Sequence, residues 1–175
     1  NLDKSNVVIL GGTGPVGVAS AVICAKAGAS VTLVGRSLEK AEKIAGICND
    51  RYDSKNVKGG ADADKSDFFN AADIVLNTGA AGIQLMSEEH IKNSNTLKIC
   101  ADTNAVPPSG IAGVDVMDNG KVIDMSPSKC LGIGALAIGN IKYKSQHECL
   151  KLMYTSEKPV YLDFEDAFKF AQKSV

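Results

Sequence analysis

Short apolar runs alternate along the chain with longer segments in which apolar residues recur at helical spacing. The run at residues 7–10 is continuous and β-branched, which is typical of a strand buried on both faces. Residues 16–27 are apolar almost all round, which favours a helix packed under a sheet, and Pro15 and Gly28 flank that segment. Further strands are predicted at residues 30–34, 56–61, 73–77 and 97–101.

The segments between these strands carry helix signals. Ser37 is a suitable N-cap for a helix whose apolar positions 38, 41, 44, 45 and 48 share one face. Asp163 is a suitable cap for a last helix, in which Phe164 and Phe168 lie on the same side. Other helices are predicted at residues 65–71, 87–92 and 136–153.

Strands that alternate with helices predict right-handed βαβ units and an α/β fold. We expect a doubly wound, mainly parallel sheet with helices on both faces. The pattern changes after residue 102: residues 104–113 are predicted to be a loop, and residues 114–125 short strand pieces around a turn at Asp118, Asn119 and Gly120. No stretch has the composition of a linker, so residues 1–175 are expected to form a single domain.

The composition excludes several classes of partner. The chain has 19 Lys and Arg against 20 Asp and Glu, so no basic field exists to attract nucleic acid or anionic lipid. No apolar stretch approaches the ~18 residues of a membrane span, and we expect no signal peptide before the first strand. Five widely spaced cysteines without a CxxC motif, and only two histidines, argue against a metal site. We expect a cytoplasmic protein that binds neither nucleic acid nor membranes.

A complete GxGxxG motif lies between the first strand and the first helix. In dinucleotide-binding turns the first glycine allows the tight turn, the second admits the pyrophosphate and the third lets helix and strand pack closely. This context favours a Rossmann-type dinucleotide site over a simple strand–helix turn, with pyrophosphate at the helix N-terminus. The candidate residues are Gly12, Thr13, Gly14, Pro15, Val16 and Gly17.

The end of the second strand carries positive charge where an NAD site carries an acidic residue. Gly35 is followed by Arg36, Ser37 and, one helical turn on, Lys40. A guanidinium, a hydroxyl and an ammonium suit the 2′-phosphate of NADP, whereas a carboxylate suits the 2′-hydroxyl of NAD. We therefore predict NADP, with NAD also possible. The alternative is a solvated loop arginine, a plain helix cap and an exposed lysine.

Two further loops follow strands on the same predicted sheet edge. Thr78, Gly79 and Ala80 follow the fourth strand, where small residues would let a nicotinamide ribose approach. Asn104 follows the fifth strand, and its polar atoms face either a ligand or local backbone donors. Both alternatives stay open for each loop.

The acid–base inventory is sparse. The sequence contains no GxSxG, HExxH or Tyr-x-x-x-Lys motif, so it indicates a cofactor platform rather than acid–base chemistry. Lys142 and Lys144 lie two apart on a predicted helix and cannot face the same way, so one could look into the cleft while the other is solvated.

Together these segments resemble the NAD(P)-binding domain of methylene-tetrahydromethanopterin dehydrogenases. The resemblance covers nearly the whole chain, and the segment after the fifth strand is its most specific part. The Gly-Arg-Ser element is also similar to shikimate dehydrogenase-like domains. The motifs are VILGGTGPVG at 8–17, GRSxxKA at 35–41, ADxNAxPPxGIxG at 101–113 and IGAL at 133–136.

This resemblance implies hydride transfer from a methylene-tetrahydropterin to NAD(P)⁺. Lys142 matches the family's first lysine after the glycine-rich stretch at 134–139 and is the candidate for positioning substrate, although Asn140 stands where the family usually has glycine. The family carries a pterin-binding domain before the cofactor domain, and we expect residues 1–175 to lack it. The chain is then either a piece of a longer protein or a stand-alone relative.

Three functional hypotheses follow. The first is the cofactor domain of a methylene-tetrahydromethanopterin dehydrogenase with a small-molecule pterin substrate, expected to form a homo-oligomer. The second is a shikimate dehydrogenase-like oxidoreductase domain. The third is a non-catalytic module that senses NADP(H).

Overall fold

The alternating runs fold into a sheet that has helices on both faces, in a computed structural model that describes residues 2–174. The sheet has seven strands within those residues, and all but one run in the same direction. The strands are β1 (Asn6–Leu10), β2 (Ser30–Gly35), β3 (Val57–Ala61), β4 (Ile74–Asn77), β5 (Ile99–Asp102), β6 (Asn119–Val122) and β7 (Leu131–Ile133). The helices are α1 (Pro15–Lys26), α2 (Leu38–Tyr52), α3 (Lys65–Asn70), α4 (Glu88–Asn93), α5 (Ala135–Thr155) and α6 (Phe164–Gln172).

The strand order is β3-β2-β1-β4-β5-β7-β6, and β1 lies between β2 and β4. In its register Val8 is aligned with Thr32 on one side and with Val75 on the other. Only the β6–β7 pair is antiparallel. The predicted doubly wound, mainly parallel α/β sheet is confirmed.

Strand β1 supplies both halves of the core because successive side chains point to opposite faces. Val7 and Ile9 pack on the face covered by α1 and α2, and both are at most 1% exposed. Val8 and Leu10 pack on the opposite face, which also contains Phe69. A strand that is buried on both faces reads as the continuous apolar run seen in the sequence.

The prediction that short strand pieces within residues 114–125 flank a turn at residues 118–120 was wrong. The expected turn residues Asn119 and Gly120 begin β6 instead, which pairs with β7 across the loop that joins them. All four residues of β6 are exposed, and β7 is a three-residue strand that was not predicted. An exposed edge strand needs no apolar alternation, and so the hydrophobic pattern carried no signal for this pair.

Both predicted caps are confirmed. The Ser37 hydroxyl accepts a hydrogen bond from the Lys40 backbone N–H at 3.3 Å. The Asp163 carboxylate accepts from the N–H groups of Glu165 and Asp166 at 2.8 and 3.3 Å. These bonds satisfy donors that have no acceptor inside the helix and so set where α2 and α6 begin.

Three of the five cysteines are small core residues. All five are free thiols, and Cys48, Cys100 and Cys130 are buried. Burial raises the pKa of the Cys24 thiol to about 11, so it stays protonated near neutral pH. Between residues 2 and 174, no helix is both long and apolar enough to cross a membrane.

The neutral imidazole ring of His90 connects α3 to α4. Its Nδ1 accepts a hydrogen bond from the Ser87 N–H at 3.1 Å, and its Nε2 lies 3.2 Å from the Ser66 hydroxyl. The ring packs edge-on against Phe69, with 5.0 Å between ring centroids. Desolvation by burial, followed by the nearby Lys65 charge, lowers the pKa of His90.

Stability is therefore expected to depend on the protonation of His90. The folded pKa lies below the unfolded value of about 6.5, so the unfolded chain binds the proton more readily. The free energy of unfolding should be fully retained above pH ~6.5 and fall as the pH drops below it. In His90→Gln this contribution to the pH dependence of the free energy of unfolding should disappear. Gln can also complete a capping box, but it does not titrate.

The measurement is urea unfolding at several pH values between about 5 and 7.5, a range in which histidine titrates. His147→Gln is the matched control because that side chain is 64% exposed. An equal slope in His90→Gln and in the unmodified protein would contradict the assignment.

Candidate functional site

A crevice is expected where the order of the strands reverses. From β1 the chain first moves outward through β2 and β3, and it then returns to the other side of β1 with β4. The connections on the two sides of β1 therefore diverge at the carboxyl ends of β1 and β4. In open α/β sheets this is the place where ligands bind.

The glycine-rich turn brings the start of α1 directly against the end of β1. The Gly12 N–H donates to the Val34 carbonyl at 3.0 Å, which anchors the turn to β2. A Cβ atom on Gly17 would collide with the backbone of Gly12. Gly17 therefore performs the helix-packing task that its place in the motif predicted.

Among the three glycines of the GxGxxG motif, Gly14 is the one that has open space beside it. A Cβ atom there would meet only the Gly11 carbonyl oxygen, at the ordinary contact distance of 3.7 Å. Gly14 is also the N-cap of α1 and has no side chain that could cap the helix. A ligand can thus approach this backbone closely, as the second glycine of the motif requires.

Two backbone donors at the start of α1 have no acceptor within the helix. The Val18 N–H bonds to the Gly14 carbonyl at 2.9 Å, and Pro15 has no N–H. The N–H groups of Val16 and Gly17 lie in the first turn, where no intrahelical acceptor exists. Together with the helix dipole, they make this end of α1 suited to an anion such as a pyrophosphate.

The loop after β4 is hydrogen-bonded to the end of β1. The Thr78 N–H and the Thr78 hydroxyl both donate to the Leu10 carbonyl, each at 2.9 Å. A Cβ atom on Gly11 would lie only 2.5 Å from Gly79 Cα, so the two backbones touch. Ala80, the next residue, is exposed. The structure thus brings Thr78 and Gly79 beside the glycine-rich turn, with the Thr78 hydroxyl already engaged.

The cationic segment after β2 lies at the same edge of the sheet. Gly35 is buried, whereas Arg36, Ser37 and Lys40 are exposed. Ser37 accepts the Lys40 N–H as a cap and keeps its own O–H as a free donor. Within residues 2–174 neither Arg36 nor Lys40 forms an ion pair, so both charges are available to a ligand.

A buried polar network holds the loops that follow β4 and β5. Asp102, which is 1% exposed, accepts four hydrogen bonds: from Asn77 Nδ2 at 2.7 Å and from the N–H groups of Asn104, Gly110 and Ile111 at 2.9, 2.7 and 3.1 Å. Asn77 Oδ1 in turn accepts the Gly79 N–H at 3.0 Å. A carboxylate buried this deeply is stable only because its oxygens are satisfied in this way.

The Asn104 side chain is used inside its own loop. Its Oδ1 accepts the N–H groups of Gly82 and Val106 at 3.2 and 2.9 Å, and its Nδ2 donates to the Pro108 carbonyl at 2.8 Å. The side chain links the loops after β4 and β5, and the residue is 5% exposed. The sequence left open whether the polar atoms of Asn104 face a ligand or local backbone donors. The geometry corresponds to the second alternative.

Lys142 borders an open groove of about 820 Å³ between α5, α6 and the sheet, and no residue of the glycine-rich turn lines this groove. Ala101 of β5 and Ile133 of β7 line the same groove, which is mostly apolar. Lys144 is exposed as well, so both lysines remain accessible.

The predicted site residues thus follow the carboxyl edge of the sheet, from Arg36 through Gly14 and Thr78 to Asn104. Sequence reasoning did not identify Asn77, which joins the two loops through Asp102. A signal was present, since both residues are polar ends of otherwise apolar strands. In the described part of the chain, no cluster of three or more His, Cys, Asp or Glu side chains is placed to hold a metal ion.

Two curated proteins of Methylorubrum extorquens are similar in sequence. The NAD(P)-dependent methylenetetrahydromethanopterin dehydrogenase is 38% identical over 174 residues, covering 98% of this chain and 58% of that protein. The bifunctional protein MdtA is 37% identical over 149 residues, covering 83% of this chain and 50% of that protein. The chain thus spans about half the length of these relatives. No family model matches the sequence.

Solved structures support the fold. Quinate dehydrogenase from Corynebacterium glutamicum, in complex with NAD, superposes with a TM-score of 0.60 at 18% identity, covering 100% of this chain and 56% of that one. Shikimate dehydrogenase of Mycobacterium tuberculosis superposes at 0.55 with 16% identity, covering 95% and 56%. The chain combines this Rossmann-type fold with similarity in sequence, over almost its full length, to methylenetetrahydromethanopterin dehydrogenase, and it corresponds to about half of the length of these relatives.

Proposed function

We propose that residues 1–175 are the single NAD(P)-binding domain of an oxidoreductase that transfers a hydride from methylene-tetrahydromethanopterin, or a related methylene-tetrahydropterin, to NAD(P)⁺. The observation that carries the proposal is the open backbone at Gly14 beside two N–H groups of α1 that have no acceptor within the helix. That combination fits the pyrophosphate of a dinucleotide at the switch point of the sheet. The name of the 38% identical relative supports the choice of reaction.

The residues of this chain suit a reaction that depends on placement. When bound, NAD(P)⁺ would supply the hydride acceptor. The positive charge of the pterin product would be shared between the two nitrogens that flank the reacting carbon, so no residue of this chain has to act as a general base. The contribution of the protein is to hold two rings in register and to exclude water. The hydrogen bonds of Asn77 and Asp102 hold the loops after β4 and β5 beside the crevice. In this proposal these loops help to position the two rings.

A pterin-binding domain outside residues 1–175 completes the substrate cleft in this proposal. The greater length of both relatives supports it. Helix α5 supports further protein contacts, because Ser145 is its one buried residue while Leu136, Tyr143, Leu150 and Tyr154 are 49–92% exposed. An exposed apolar face of this extent is typical of an interface, in accord with a homo-oligomer. The free thiols fit a reducing, cytoplasmic location.

NADP is the preferred cofactor in this proposal. Arg36 and Lys40 form no ion pair within residues 2–174, and they present positive charge beside the Ser37 hydroxyl at the end of β2. A 2′-phosphate can accept hydrogen bonds from all three, whereas the 2′-hydroxyl of NAD offers no charge to match. NAD still binds through the pyrophosphate contacts that the two cofactors share.

Gly14→Val is expected to abolish dinucleotide binding while the fold is retained. Its Cβ atom would lie at an ordinary 3.7 Å from the Gly11 carbonyl oxygen, and the branched side chain would enter the space where backbone and pyrophosphate meet. Calorimetric titration with NADP measures the binding, and thermal unfolding checks the fold. Gly46→Val is the control, since a Cβ atom on that helical glycine meets nothing within 4 Å. If folded Gly14→Val binds NADP as tightly as the unmodified protein, the GxGxxG motif is only a structural turn and does not bind the dinucleotide.

Arg36→Ala is expected to weaken NADP binding by roughly ten- to a hundredfold, the loss that follows from one charge-assisted hydrogen bond. NAD affinity should hardly change. Added salt should narrow the preference of the unmodified protein for NADP, because the site is exposed and its charges are screened. Both cofactors are titrated at two ionic strengths. Arg51→Ala, at the far end of α2, removes the one other arginine and should change neither affinity. Equal affinity of the unmodified protein for both cofactors would refute the phosphate site.

Lys142→Ala tests the substrate side. In the longest polypeptide that contains residues 1–175, NADPH formation from methylene-tetrahydromethanopterin and NADP⁺ is followed by absorbance. If Lys142 orients substrate, turnover should fall while NADP affinity is retained. Lys144→Ala, two residues on, should keep full turnover. Unaltered turnover in Lys142→Ala would show that this lysine is only a solvated helix residue. Absence of any turnover in the unmodified protein would refute the proposed reaction.

A further inference from the structure

The end of β2 has no room for a side chain. Gly35 is the last residue of β2 and is buried. A Cβ atom built on it would lie 2.7 Å from Cγ2 of Thr13, far inside the ~3.5–4.0 Å contact distance of two carbon atoms. Its next neighbour, Ala41 Cβ, would be at an ordinary 3.6 Å. Among the described residues, Thr13 is therefore the one close obstacle to a Cβ atom at position 35.

Thr13 cannot easily withdraw from this position. It lies between Gly12, whose N–H bonds to the Val34 carbonyl at 3.0 Å, and Gly14, whose N–H bonds to the Gly11 carbonyl at 3.3 Å. The first of these bonds ties the turn to the residue just before Gly35. Thr also carries two heavy atoms on Cβ, so only one staggered rotamer turns a hydrogen toward Gly35.

The chemistry of position 35 gives this contact a functional meaning. In dinucleotide-binding folds the residue at the end of the second strand distinguishes the two cofactors, because a carboxylate there bonds the 2′-hydroxyl of NAD and repels the 2′-phosphate of NADP. Here that residue has no side chain, and the next five positions contain Arg36, Lys40 and a single carboxylate, Glu39.

We propose that Thr13 is a specificity-determining residue: its methyl group occupies the space that a carboxylate at position 35 would need and so keeps the end of β2 open for a 2′-phosphate. This inference rests on the proposed dinucleotide function and adds the residue that enforces the cofactor preference. It predicts that positions 13 and 35 are energetically coupled, so that a side chain at position 35 is accepted only when Thr13 is shortened.

A first double-mutant cycle tests the contact without any cofactor. Thermal unfolding is measured for Thr13→Ala, Gly35→Ala and the double variant. Gly35→Ala should unfold at a clearly lower temperature than the unmodified protein, and Thr13→Ala should reverse most of that loss in the double variant. Ala41→Gly combined with Gly35→Ala is the matched control, because it removes the neighbour at ordinary contact distance and should give additive shifts. Additive shifts for Thr13 and Gly35 would overturn the inference.

A second cycle tests cofactor choice with Gly35→Asp in place of Gly35→Ala, using calorimetric titration of NAD and NADP. Gly35→Asp alone should bind both cofactors at least about tenfold more weakly, because the glycine-rich turn is displaced. The double variant with Thr13→Ala should recover NAD binding, and its NADP-to-NAD preference should be at least about tenfold lower than that of the unmodified protein. Thr13→Ala alone should keep the preference for NADP.

The outcomes separate the inference from the function on which it rests. If the unmodified protein binds NADP and Gly35→Asp alone binds NAD as tightly as the double variant, Thr13 excludes nothing and only the inference fails. The same holds if the folded double variant does not recover NAD binding. If the unmodified protein binds neither dinucleotide, the proposed function fails and the inference with it.

Discussion

At the carboxyl end of β1, backbone has to touch backbone, and the rest of the candidate site depends on that contact. Gly11 meets Gly79 of the loop after β4, and Gly17 of α1 meets Gly12. No side chain fits at these contacts, so the start of α1 comes directly against the strand. The free N–H groups of its first turn are thereby placed at the crevice, where an anion can reach them.

A second constraint acts on the loops that border this crevice. Asp102 and Asn77 are buried charged and polar groups, and leaving either unsatisfied would cost several kcal/mol. In the described part of the chain every buried side-chain nitrogen or oxygen has a partner. Because the partners of Asp102 come from β4 and from the loop after β5, its hydrogen bonds fix the distance between the two loops. The glycines thus keep the crevice open, while this network sets its border.

Much of the fold could be predicted because its signals are local. Strands β1 to β5 lie within two residues of the predicted ranges, since buried β-branched runs and helical periodicity are read from neighbouring residues. The β6–β7 pair could not be predicted, because an exposed strand such as β6 has no apolar pattern. The roles of Thr78 and Asn104 stayed open for a related reason: a polar atom in a loop serves a ligand or the backbone equally well until its neighbours are known.

The sequence by itself determined the α/β class, the glycine-rich strand–helix turn, the caps at Ser37 and Asp163 and the cationic segment at Arg36. Each of these follows from residues within about one helical turn or one strand of each other. Only the tertiary structure decided that Thr13 covers Gly35 and that Asn77 bonds to Asp102, 25 residues away. Propensity and periodicity describe short stretches of chain, whereas these contacts exist because the packing of the sheet brings the carboxyl ends of separate strands to one edge.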